Sequence, residues 1–152
     1  MNFKGHFCGG LITAIIGVST IVATLDSLPH STYAILFGLI LFFSLFPDLD
    51  VGSIPQRWFY RIVFICLCYV FFIEKYKLGL LLAIFSYLPI LHKHRGFTHW
   101  KITSITVPII MALLIEYILT GKLLYYVDFF EKYWLFISAC TLGWWIHLFL
   151  DR

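Results

Sequence analysis

The chain has 152 residues, 61% of them hydrophobic and only 12% charged, with a formal net charge of +3. A soluble domain carries roughly 25% charged residues, and so short a chain cannot bury this much apolar surface in a core of its own, so the composition points to a polytopic membrane protein with lipid around it. Its few charges are spread over loops rather than gathered in a basic patch, which excludes the electrostatic footprint of nucleic-acid binding.

Apolar windows mark about six segments, near 7–25, 32–46, 58–73, 78–91, 102–120 and 134–150. They predict an all-α polytopic helical bundle forming a single integral membrane domain over 1–152. A spanning helix needs about 20 apolar residues. The third and fourth segments offer 16 and 14, which predicts a hairpin that is tilted or only partly enters the bilayer. Cys8, Cys66, Cys68 and Cys140 lie in apolar runs without CxxC spacing and read as packing residues rather than a disulfide framework or zinc knuckle. Cys8 is two residues from His6 and keeps a small claim as a ligand.

Lys4 followed by an apolar run resembles a signal peptide. The run is long enough to span and lacks an Ala-x-Ala site, so it is expected to stay as the first helix. At helical spacing His6, Gly10, Thr13 and Gly17 share one face, and a face of small residues packs against neighbouring helices. His6 is therefore expected to point into the bundle, the alternative being a histidine among headgroups. The second segment runs into Pro47-Asp48-Leu49-Asp50. Pro47 disfavours continuing the helix, and in a turn the two carboxylates could converge on one site or simply face solvent.

The stretch from His92 to Trp100 places three of the six histidines, two cations and a glycine between apolar runs. Such a polar island at a membrane boundary is costly unless paired, hydrated or metal-bound. On an unbroken helix His94 and His99, five residues apart, would splay by about 140°. Gly96 offers the break that would turn both inward. Arg95 could meet an anionic substrate, brace an Asp or face lipid phosphates; His92 and Lys93 read as interface residues. Glu116 in the fifth segment is expected to snorkel or to make an interhelical hydrogen bond. Asp128, Glu131 and Lys132 read as the loop after it. In the last segment His147 and Asp151 are four apart on one face with Ala139 and Gly143, a spacing at which both could bind one cation or the carboxylate could orient the imidazole.

Counting Lys and Arg near segment ends places Lys4, Arg57, Arg61, Lys93, Arg95, Lys101 and Arg152 on one side and Lys75, Lys77, Lys122 and Lys132 on the other. The excess predicts that both termini are cytoplasmic. Trp58, Trp100 and Trp134 fit an aromatic belt. The same topology brings His6, Asp48, Asp50, His94, His99, His147 and Asp151 to one membrane face. Four imidazoles and three carboxylates suffice for one or two divalent cations, with zinc, manganese or iron favoured over calcium.

The N-terminal His6, Pro47-Asp48-Leu49-Asp50, His94-Arg95-Gly96-Phe97-Thr98-His99 and the terminal Gly143-Trp144-Trp145-Ile146-His147-Leu148-Phe149-Leu150-Asp151 together resemble the bacterial inner-membrane metal-dependent hydrolases, also called LexA-binding membrane hydrolases. The resemblance covers essentially the whole chain, and its specific part is His-Arg-Gly-x-Thr-His. It implies a helical inner-membrane hydrolase with a distant likeness to zinc phospholipases C. Two departures bear on activity. Such proteins usually carry Ser where this chain has Trp100, and they usually continue past the final Asp where this sequence stops at Arg152; if that tail completes the pocket, this protein is expected to be less active, narrower in substrate or inactive.

The leading expectation is zinc-assisted hydrolysis of a phosphoester in a lipid or lipid-linked headgroup. Asp48 or Asp50 would act as base and Arg95 would neutralise the phosphate. A non-catalytic adaptor with a structural metal and an ion or metal transporter are the competing classes. Transporters place binding groups near the bilayer midplane, where this chain offers only Ser, Thr and Cys.

Overall fold

The computed structural model describes residues 3–25, 28–50, 54–91 and 96–151, with side chains described at all of these except 3, 50, 54, 55, 90, 91 and 97. It contains six α-helices: α1 (Phe3–Thr24), α2 (His30–Phe43), α3 (Ile54–Phe72), α4 (Tyr76–Tyr87), α5 (Thr103–Thr120) and α6 (Tyr126–Leu150). Tight 3-10 turns lie at Phe46–Asp50, Leu88–Leu91 and Phe97–His99, and the described residues include no strand. Helices suit this composition because they satisfy their own backbone groups where lipid cannot. Side chains such as Ile16, Phe64, Phe72, Ile110 and Leu119 are accordingly left exposed.

Among the described residues three helices, α1, α5 and α6, are long and apolar enough to cross a membrane. The 14 residues of α2 and the 12 of α4 reach about 21 and 18 Å at 1.5 Å per residue, short of a hydrocarbon core of about 30 Å. Breaks fall where the chain cannot continue a helix. Pro29 caps the start of α2, and α2 gives way to the 3-10 turn as Pro47 approaches. Gly121 ends α5 with φ of 73°, a left-handed conformation suited to glycine.

At the centre α2 packs against both α1 and α6, and two glycines set how closely. A Cβ on Gly10 would lie 1.9 Å from Ser44 Oγ, and one on Gly143 would lie 2.3 Å from the Ile40 carbonyl oxygen. Small residues thus let three backbones approach, the main source of cohesion where lipid offers no hydrophobic drive between helices. The α3–α4 hairpin joins this centre through aromatic rings. Phe46 stacks on Phe85 with centroids 5.0 Å apart, Phe43 stacks on Trp144 at 5.7 Å, and Phe46 meets Trp144 edge-on at 5.2 Å. Because Phe46 and Pro47 are fully buried immediately before Asp48, the aromatic cluster fixes where that carboxylate emerges.

The last helix begins eight residues before the predicted segment, so Asp128, Glu131 and Lys132 belong to α6 and not to a loop. The charges mask a helical pattern in which Phe129 is buried and Lys132 turns toward α5. Lys132 Nζ donates to Glu116 Oε2 at 2.6 Å and the Tyr133 hydroxyl donates to the same oxygen at 2.5 Å. Of the two expectations for Glu116, the interhelical bond is the one realised. Glu116 lies 13 residues beyond the start of α5, about 20 Å along the helix from the polar end. Glu116→Gln should therefore lower the melting temperature in detergent while leaving metal content unchanged; a loss of metal would show that the two ends are coupled.

Candidate metal centre

Four helix ends and turns deliver polar side chains to one place. His6, in the second turn of α1, is fully buried. It is one turn before Gly10, whose missing Cβ lets α1 lie against Ser44, so the predicted small-residue face does carry His6 inward. His147, one turn after Gly143, is likewise fully buried. The two imidazoles stack with centroids 4.1 Å apart at an interplanar angle of 22°.

Two carboxylates close over these rings. His6 Nε2 is 3.1 Å from Asp151 Oδ1 and 3.8 Å from Asp48 Oδ2. His147 Nε2 is 3.5 Å from Asp48 Oδ1 and 3.7 Å from Asp151 Oδ2. One donor atom from each of the four residues lies within 4.8 Å of all the others. His99 borders this set, with Nε2 3.5 Å from Asp151 Oδ2 and its ring edge-on to His147 at 5.5 Å. The 3-10 turn Phe97–His99 provides the predicted interruption ahead of α5, and the His99 N–H donates to the Gly96 carbonyl at 3.1 Å.

Asp48 is placed by its turn, as expected. The Asp50 side chain, His94 and Arg95 lie outside the described residues, as do His92 and Lys93. Cys8 is exposed and is not among the four clustered residues.

Three supporting contacts were not anticipated from the sequence. His147 Nδ1 is 2.9 Å from the Ser44 carbonyl. A carbonyl can only accept, so Nδ1 carries the proton and Nε2 of the neutral ring presents its lone pair to the carboxylates. Ser44 is the C-cap of α2, and the last carbonyls of a helix lack intrahelical partners, so a helix ending just before Pro47 is the signal that could have revealed it. Trp144 Nε1 donates to the Thr98 carbonyl at 2.7 Å, tying the His99 turn to α6. Trp145 Nε1 donates to Ser104 Oγ at 2.7 Å, fixing the start of α5 to the same helix.

Both ring nitrogens of His6 and Nε2 of His147 are buried and make no hydrogen bond to the described residues. Buried polar atoms without partners are rare and costly. The four imidazole–carboxylate approaches, 3.1 to 3.8 Å, bracket the edge of a tetrahedron, about 3.3 Å, built on bonds of about 2.0–2.1 Å, while the four donor atoms taken together spread to within 4.8 Å. The set His6, Asp48, His147 and Asp151 could thus hold one divalent cation, and His99 stands close enough to Asp151 to extend it. A cleft of about 370 Å³ lined by His99, Lys101 and Trp145 opens beside it.

No curated protein and no solved structure matches the chain. The family model described as YdjM inner membrane protein matches residues 1–152, and the chain belongs to that family.

Proposed function

We propose that this member of the YdjM inner membrane protein family is a metal-dependent hydrolase acting on a phosphoester in a lipid or lipid-linked headgroup. The observation that carries the reading is the pair of buried, stacked imidazoles whose Nε2 atoms face two carboxylates. His6, Asp48, His147 and Asp151 would hold the cation, zinc first by the donor set, with manganese or iron as alternatives. Asp50 and His94 are assigned with them by motif, and with His99 they would supply ligands for a second ion. A cation held there supplies Lewis-acid chemistry.

The protein's own groups divide the remaining work. Asp48 is the more exposed carboxylate, at 24% against 15% for Asp151, and is the better placed of the two to accept a proton from water; Asp50 shares that assignment by motif. Asp151, between His6, His99 and His147, would orient the three rings. The Ser44 carbonyl holds the His147 tautomer that keeps Nε2 free. Lys101 on the cleft beside His99 and Arg95, by its motif, would neutralise the phosphate.

A structural metal in a non-catalytic adaptor is the second reading. Structural sites are closed and catalytic ones keep an open position; the partly exposed carboxylates and the adjoining cleft favour the hydrolase. Transport is disfavoured because the cluster draws on the ends of α1, α2 and α6 rather than on mid-helix positions. Elemental analysis of protein purified without chelator or histidine tag, together with hydrolysis of a phospholipid panel, tests the reading. Bound zinc with headgroup release supports it, bound zinc without turnover moves it to the adaptor, and metal-free protein with all the candidate ligands intact overturns it.

The cluster and both termini are assigned to the cytoplasmic side by the excess of Lys and Arg there. In a background without native cysteines, Lys4→Cys and Lys101→Cys should resist an impermeant thiol reagent in spheroplasts, while Lys75→Cys and Lys122→Cys react. Labelling of Lys4→Cys and Lys75→Cys alike would refute the topology.

A further inference from the structure

On the α3–α4 side of the bundle a second cleft, of about 510 Å³, is walled by Phe42 of α2, Leu45 of the turn that follows it, Leu49 of the 3-10 turn, Val63 and Cys66 of α3, and Phe85 of α4. We infer that this cleft holds an acyl chain of a phospholipid whose headgroup lies at the His–Asp cluster. The inference rests on the proposed hydrolase for calling that lipid a substrate, but not for its binding.

The described side chains lining the cleft are aliphatic and aromatic apart from the Cys66 thiol, with the Trp58 indole N–H the one strong donor among them, so water inside it would find few hydrogen-bond partners and gains little by filling it. Phe7 and Trp58 also line it and are 38% and 58% exposed, so it communicates with the lipid-facing surface. In a bilayer the apolar group at hand is a hydrocarbon chain.

Continuity with the cluster selects which lipid, and in which direction. Phe7 follows His6, Leu49 follows Asp48, and Leu45 follows the Ser44 whose carbonyl holds His147. The cleft is therefore lined in part by the immediate sequence neighbours of the residues that build the cluster. From Trp58 to Cys66 the lining then follows α3 for eight residues, about 12 Å of helix. A chain laid along that path would leave its ester end beside the carboxylates. Because a lipid tail is already in an apolar medium, the cleft adds little affinity by desolvation; it contributes position, holding the headgroup where reaction requires it. Arg61 lies over the Trp58 ring at 5.3 Å, setting a cation near that end and favouring an anionic headgroup.

The test uses the full chain in nanodiscs of phosphatidylethanolamine and phosphatidylglycerol, with a trace of phosphatidylglycerol bearing a diazirine on one acyl chain. Crosslinked peptides are mapped by mass spectrometry. Crosslinks should concentrate on residues 58–66 and 82–85, and Cys66→Trp, which fills the cleft, should lose them while keeping its helicity and zinc content. Ile62→Trp, at a position 57% exposed, is the second variant should Cys66→Trp not fold. Crosslinks spread evenly over lipid-facing positions such as Ile110 and Leu119, and indifferent to both variants, would mean annular lipid only and overturn the inference. Crosslinks confined to the cleft in a protein that hydrolyses no phospholipid would uphold the cleft while rejecting the hydrolase.

Discussion

His147→Ala should lower zinc affinity by about 100-fold, the upper end of what loss of a metal ligand or its orienting partner costs, with helicity retained. His147 is the member with the most to lose. Its Nε2 faces both Asp48 and Asp151, its ring stacks on His6, and its Nδ1 is held by the Ser44 carbonyl. Truncation removes a donor, leaves two carboxylates without the imidazole that separates them, and exposes the orphaned Ser44 carbonyl. Asp151→Asn should follow closely, because that carboxylate approaches His6, His99 and His147. His99→Ala should cost less, because His99 borders the four-residue set without belonging to it. Competition with a chromogenic chelator on purified, tag-free protein measures all three. Zinc binding by His147→Ala equal to that of the parent would remove this cluster from consideration as a metal site.

The ranking among these candidate ligands could not be drawn from the sequence, although most of the residues could. Helix type and number were legible because apolar runs of this length have one solution in lipid. His147 and Asp151 were legible because four residues make one helical turn, and His6 because a small-residue face ran through Gly10. Much of what escaped depends on backbone rather than side chain. The Ser44 carbonyl has no residue-type signature, and the Trp144–Thr98 bond joins positions 46 residues apart. The beginning of α6 was misread for a different reason. Asp128, Glu131 and Lys132 look like a solvated loop until Lys132 is seen to neutralise Glu116 across the helix pair.

Gly143→Ala tests the backbone contribution directly, since it removes no ligand and adds a single methyl group. Helix propensity alone favours Ala over Gly by about 1 kcal/mol in a helix interior. At Gly38, where an added Cβ meets nothing within 4 Å, Ala should be neutral or stabilising. At Gly143 the new Cβ would lie 2.3 Å from the Ile40 carbonyl oxygen, 3.0 Å from its carbonyl carbon and 3.1 Å from its Cα. These are backbone atoms, so no rotamer change relieves the clash and α6 must move off α2 by about 1 Å to recover ordinary contact. Overpacking of this kind costs about 1–3 kcal/mol, enough to reverse the propensity gain. The displacement reaches the His–Asp cluster because Ile40 and Gly143 are each one turn before Ser44 and His147, so parting the first pair lengthens the 2.9 Å contact of the second. Gly143→Ala should therefore melt lower than the parent and bind zinc about 10-fold or more weakly, with α-helical content unchanged by circular dichroism. If it melts and binds zinc as Gly38→Ala does, the close approach of α2 and α6 does not set the geometry of the cluster, and the orientation of His147 must come from its carboxylate partners alone.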